Sequence, residues 1–217
     1  MSQVGKRLVY QNAKNAVQRA GLSAGKAVLS QSYLRTEAAL STSTALYQMN
    51  VLVNEQYQAA FVTNNLLNLQ DAFVVSEVGI FLATAASSST TETNVKLYTY
   101  PSPTVFTGTG VQAGCYDIYN GNMSLSVNQR TILPYWDVQR HMFIPQTQLT
   151  AATNSPIDQY EGNHAGYYPA EPNIVLVGSK KNILQIQLDA APSGIVANSR
   201  LVIIFRGILM QNVTPVN

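Results

Sequence analysis

From residue 32 onward the chain is written in short runs of β-branched and aromatic residues separated by turn clusters. The clearest of these runs have a period of two. Met123, Leu125 and Val127 alternate with Ser124 and Ser126, and Leu184, Ile186 and Leu188 alternate with Gln185 and Gln187. That period sends successive side chains to opposite faces, so each such run describes a strand with one buried face. Candidate strands are residues 33–40, 47–53, 73–84, 95–99, 115–119, 123–127, 130–133, 173–177, 183–188 and 201–210. Asn120-Gly121 lies between two of them and is a strong hairpin signal, because a type I′ turn needs positive φ at both central positions. Residues 201–210 are apolar on both sides apart from Arg206 and Gly207, which suits a strand covered on both faces or one at a subunit contact. With no helix expected after Gly21, the pattern predicts an all-β fold: a two-sheet antiparallel β-sandwich, of which the jelly roll is one kind.

Packing and hydrogen bonds must hold this fold. Cys115 is the lone cysteine and cannot form an internal disulfide, and no Cys/His spacing matches a zinc site. Charged residues make up 11% of the 217, less than half the roughly 25% of an average domain. Ser, Thr, Asn and Gln fill the gap with 69 residues, while hydrophobic residues reach 46%, too many for a disordered chain. Lys6 and Arg7 are followed by Leu8, Val9, Tyr10 and Gln11, which is no signal-peptide core. The two most apolar stretches, residues 72–86 and 201–210, carry Glu77 and Arg206 and fall short of the ~18 apolar residues of a spanning helix.

The net charge of +2 conceals a division. Residues 1–36 hold Lys6, Arg7, Lys14, Arg19, Lys26 and Arg35 and no acid, whereas residues 37–217 hold seven bases against eleven acids. A basic arm therefore precedes an acidic body, a pattern that suits contact with nucleic acid, an anionic lipid surface or an acidic partner. Helical spacing gathers Val9, Ala13, Ala16, Val17 and Ala20 on one side of the arm and Arg7, Gln11, Lys14 and Gln18 on the other, with Gly21 as the stop. A face made mostly of alanine buries little on its own, so the helix orders against something else. The expected organisation is an arm and Gly/Ser hinge over residues 1–31 and a β domain over residues 32–217.

Signals for chemistry are sparse. Gly21-Leu22-Ser23-Ala24-Gly25 has the letters of a nucleophile elbow without the central strand that must precede it, and reads as a hinge. Gly108-Thr109-Gly110-Val111-Gln112-Ala113 has the letters of a dinucleotide turn without a βαβ unit, and reads as a loop. Asp158, Glu161 and His164 fall close together within the long connection of residues 145–172, where solvated loop charges are a simpler account than a cation site. His141 has no nucleophile at a recognisable spacing and reads as a hydrogen-bonded structural imidazole. Two N-x-S/T sequons, at Asn122 and Asn212, have no secretory context. Neither a catalytic residue, a metal ligand set nor a cofactor is expected. The Ser/Thr-rich residues 85–94 read as an exposed tip, and residues 145–172 as an ordered loop anchored by Tyr160, Tyr167 and Tyr168.

Several stretches together point to a family. Leu69-Gln70-Asp71-Ala72-Phe73-Val74-Val75-Ser76-Glu77-Val78-Gly79, then Ile118-Tyr119-Asn120-Gly121 with Leu125-Ser126-Val127-Asn128, then Asn173-Ile174-Val175-Leu176 and the closing Val202-Ile203-Ile204-Phe205-Arg206-Gly207 resemble a jelly-roll capsid protein of a tailless icosahedral bacteriophage. The resemblance covers roughly residues 32–212. It implies a shell-forming barrel in the virion, not an enzyme, with the N-terminal arm facing inward. Many such phages with an internal membrane use a double jelly roll, whereas the strands here fill one barrel, so a single jelly roll is expected. Implied partners are copies of the chain, other virion proteins, and packaged nucleic acid or an internal membrane. Lys6, Arg7, Lys14, Arg19 and Lys26 become the candidate contacts to those phosphates. Removal of residues 1–25 is then expected to leave the barrel folded. The alternative is a virion spike or decoration β-sandwich that binds a receptor or glycan through Tyr160, Tyr167 and Tyr168. A hydrolase acting through Ser23 is the third reading.

Overall fold

The computed structural model describes residues 3–51, 53–54, 65–84, 97–102, 105–143 and 166–215. A helix, α1 (Gln3–Arg19), leads into β1 (Leu22–Ser23) and the long β2 (Val28–Ala39). There follow β3 (Leu46–Asn50), β4 (Val53–Asn54), β5 (Asn65–Leu66), β6 (Ala72–Thr84) and β7 (Leu97–Tyr98), then a second helix, α2 (Val111–Tyr119). The remaining elements are β8 (Asn122–Val127), β9 (Arg130–Asp137), a 3-10 turn (Gln139–His141), β10 (Tyr167–Val177), β11 (Asn182–Gln187), β12 (Ser199–Gln211) and β13 (Thr214–Pro215).

All strand pairs among the described residues are antiparallel. One sheet runs β10-β6-β12-β2, with β7 beside β6, and the other runs β3-β11-β8-β9. Leu34, Phe73, Ile80, Leu201, Ile203 and Phe205 of the first share one core with Tyr47, Met49, Met123, Leu125, Leu184 and Ile186 of the second. The architecture is thus an all-β antiparallel sandwich, as the strand-like periodicity predicts. Its pairings are nested along the chain: β2 with β12, β3 with β11, β6 with β10, and β8 with β9. The sequence boundary at residue 31 falls inside β2, which begins at Val28 and pairs along its whole length with β12.

Apart from Ser76 and Glu77, β6 is apolar because both of its faces are covered, and a bulge shifts its phase midway. Val75 faces Gly207 and Glu77 faces Arg206, so Ser76 is an extra residue on β6. The inward set therefore slips phase, from Phe73 and Val75 to Val78, Ile80 and Leu82. Outside the bulge, Ala72 and Val74 belong to a second apolar cluster and Phe81 and Ala83 to a third. Gly207 lies opposite the bulge, where a Cβ would overlap the Val74 carbonyl. On β12, Val202 and Ile204 join the third cluster and Ile208 and Met210 the second, so this strand is covered on both faces as expected.

The second cluster is where α1 docks. Ala13, Ala16 and Val17 are fully buried with Ala72, Val74, Val177, Ile208 and Met210, on the side of the first sheet away from the core. The face expected from helical spacing is the face that packs, except that Ala20 is exposed. Gly21, at φ 80°, ends the helix in the left-handed conformation of a C′ residue. Because α1 covers apolar sheet surface, removing residues 1–25 would expose that surface. The body without this helix is therefore expected to lose stability through the uncovered sheet face.

Two local expectations also fail. Residues 115–119 form the end of α2 rather than a strand, because Val111, Cys115 and Ile118 bury one helical face. Asn120 then serves as the helix C-cap at φ −79°, so Asn120-Gly121 is not a hairpin turn. The hairpin lies one strand later. Val127 pairs with Arg130, and the loop between them, Asn128 (φ 51°) and Gln129 (φ 68°), has the two positive φ values of a type I′ turn. Residues 167–172, expected as part of a loop, belong to β10.

Candidate interaction surfaces

The basic residues expected to contact phosphate are distributed around α1 and the turn behind it. Lys6 and Arg7 lie within α1, with side chains outside the described residues. Lys14 is half-buried on α1, Arg19 closes the helix and is exposed, and Lys26 is exposed between β1 and β2. Docking of α1 fixes this basic element on one side of the first sheet, so it is a bound helix rather than a free arm.

Beside α1 the same sheet face opens into a groove of about 770 Å³. Its lining includes Val9, Tyr33, Glu77, Tyr167, Ile204 and Arg206. Register explains the cluster: Arg206 sits between Tyr33 on β2 and Glu77 on β6, and Tyr167 faces Gly79. A Cβ on Gly79 would come within 2.6 Å of the Tyr167 ring, so the absence of a side chain there lets the ring lie across β6. Tyr167 meets the edge of Phe81 at 5.2 Å and receives the Arg206 guanidinium 3.6 Å from its ring centre. Burial raises the Tyr167 phenol, with Arg206 pulling the other way. Arg206 and Glu77 approach to 4.0 Å and are both partly exposed, a separation that in solvent carries little stability. Nearer the third cluster, Glu37 is held by Arg35 at 2.6 Å and by Arg200 at 3.6 Å.

This groove was missed as a site in the sequence, although Glu77 and Arg206 stand out there as single charges inside the two most apolar stretches. Their pairing depends on β6 and β12 being neighbours, which sequence spacing does not reveal.

At the opposite face of β10 the neighbouring tyrosine behaves differently. Tyr168 packs edge-on against His141 at 5.7 Å, and Arg140 lies over both Trp136 (4.6 Å) and Tyr168 (5.6 Å). Consecutive residues on a strand point apart, so Tyr167 and Tyr168 do not form one stacking surface. Tyr160, like Asp158, Glu161, His164 and residues 85–94, lies outside the described residues. His141 is fully buried, with Trp136 on one ring nitrogen and Gly166 on the other. Neither nitrogen remains to serve as a base. Ser23 sits in β1 opposite Thr214 of β13, not in a strand-to-helix elbow. Cys115 is buried in α2, and burial pushes its thiol up to about 12. Among the described residues no three His, Cys, Asp or Glu side chains are grouped to hold a metal, and no helix is long and apolar enough to cross a membrane.

Compared with known proteins, the chain matches no family model, no curated sequence and no solved structure.

Proposed function

We propose that this chain is a structural subunit of an icosahedral virion shell, built on a single jelly roll, with its α1 side turned toward the particle interior. The observation that carries this reading is the nested order of strands. Folding one long antiparallel hairpin across itself yields outermost and innermost pairs divided between two sheets, which is how a jelly roll with two Greek keys arises. β2, β3, β6 and β8 through β12 follow that order.

Charge supports the inward direction of α1. The acid-free segment presents Lys14, Arg19 and Lys26, with Lys6 and Arg7 in the same helix, and so suits phosphates of packaged nucleic acid or an inner membrane leaflet. Such contacts need no base reading, and repetition over many copies makes weak ones effective. Other copies of the chain and other virion proteins are the remaining partners.

Light scattering with negative-stain imaging of the purified chain at low and moderate salt tests the reading. Shells, curved sheets or large capsomers are expected. A stable monomer or small closed oligomer at every concentration would overturn it and favour the spike or decoration reading.

A further inference from the structure

We infer that the groove beside α1 takes unpaired bases of a nucleic-acid strand while the basic helix holds its phosphates. The inference rests on the shell-subunit reading, which turns this face inward, and it chooses nucleic acid over membrane as the occupant. Three side chains stand in one row across the sheet here. Arg206 of β12 lies opposite Tyr33 of β2 on one side and Glu77 of β6 on the other, and residues directly opposite share a face with their Cβ atoms ~5 Å apart. Tyr33 is 46% exposed and the Arg206 side chain 45%.

The chemistry of that row selects the occupant. The Arg206 guanidinium rests on the Tyr167 ring at 3.6 Å, so one side of its plane is covered by the protein and the exposed part can carry a second ring. A base on that plane continues the Tyr167–Arg206 stack, and Tyr33 beside it offers a further aromatic surface. Glu77, 4.0 Å from Arg206, offsets the cation and accepts from an exocyclic amine such as cytosine N4. With its two charges opposed, the row gives a phosphate no net attraction. Cations for phosphate belong instead to α1, whose Val9 lines the groove and which lies in a segment without acids. The groove volume of about 770 Å³ is in the range that holds an organic ligand. A duplex keeps its bases inside the stack and a flat leaflet does not enter a groove, so a single strand with splayed bases is the polymer that uses both surfaces.

The test measures binding of the full chain to a short oligodeoxycytidine and to an abasic strand with the same number of phosphates, with thermal unfolding as the check on folding. The parent should favour the base-bearing strand about tenfold or more, the usual effect of a base stacked on an aromatic ring. Tyr33→Ala should abolish that preference and leave abasic binding unchanged, and Tyr33→Phe should keep it. Arg206→Lys, which retains the charge but loses the plane, should reduce it. Equal binding of the two strands by the parent, no binding of either, or an equal loss on both in Tyr33→Ala would overturn the inference. Binding to anionic phospholipid vesicles that falls in Tyr33→Ala, with no preference between the strands, would overturn it in favour of a membrane. Light scattering keeps the shell reading separate. Shells from a parent without the base preference would leave that reading standing, whereas the preference in a parent that never assembles would uphold the groove and overturn the shell.

Discussion

The indole N–H of Trp136 donates to Nε2 of His141 across 2.7 Å in a fully buried corner of the sandwich. An indole can only donate, so Nε2 must be the unprotonated nitrogen, and Nδ1 carries the hydrogen given to the Gly166 carbonyl at 2.8 Å. Burial pulls this imidazole down to about 4 from its ordinary 6.5, opposed by the Gly166 hydrogen bond and assisted by Arg140, with Asp137 pulling upward. The unfolded chain therefore takes up the proton first as pH falls. Stability from this site is complete above pH 6.5 and declines toward pH 4, by about 3 kcal/mol at ~1.4 kcal/mol per pH unit. Urea unfolding at intervals from pH 7 to pH 4 measures this decline, and His141→Gln should be less stable at pH 7 but lack that component.

Gly79 and Gly207 should respond differently to alanine. At Gly79 the new Cβ meets the ends of the Tyr167 and Phe81 rings, which can shift, for a cost of about 1–3 kcal/mol. At Gly207 it meets the Val74 backbone beside the bulge, which cannot shift without breaking the β6–β12 register. Gly207→Ala should be the more destabilising, read by urea midpoint or, if it fails to fold, by loss of soluble protein.

Truncation before Leu22 should release α1 from the sheet and uncover Val74, Ile208 and Met210. Increased binding of a hydrophobic dye and a lower thermal midpoint are the expected results. A truncated chain with the parent's midpoint would show that the docked helix contributes nothing to the body.

Replacing Lys14, Arg19 and Lys26 together by Gln should leave the fold intact, because Arg19 and Lys26 are exposed and Lys14 half-buried. Binding to single-stranded nucleic acid, measured as log affinity against log salt, should lose roughly 2 from its slope, at ~0.7 per phosphate contact removed. An unchanged slope would exclude these three as phosphate contacts.

Gln129→Gly should stabilise the β8–β9 hairpin by about 1 kcal/mol, since it relieves a non-glycine residue at φ 68° and creates the favoured Asn-Gly turn.

These residues also show what can be read without coordinates. Ala13, Ala16 and Val17 declare their shared face by helical spacing, and Met123 with Leu125, like Leu184 with Ile186, declares an inward face by alternation. Residues 115–119 mislead because Cys, Tyr and Ile favour strands, whereas the packing of Cys115 and Ile118 against the core selects helix. Ser76 hides a bulge because the runs before Ser76 and after Glu77 are apolar on both faces, so no alternation marks the change of phase. The I′ turn at Asn128-Gln129 is obscured by glutamine, which tertiary pairing of β8 with β9 holds at positive φ. The Arg206, Tyr167 and Glu77 groove is assembled from three strands far apart in sequence, so no local pattern announces it.

The nesting of the strands has a consequence for synthesis. Val28 pairs with Gln211 and Leu46 with Gln187, so the first long strands to leave the ribosome wait for the last before they have neighbours. The β8–β9 hairpin can close early, but β2 keeps an unpaired edge until β12 emerges. A nascent chain stalled before residue 199 should therefore hold a protease-sensitive N-terminal half, and its passage to the folded state should depend on chaperones that shield strand edges.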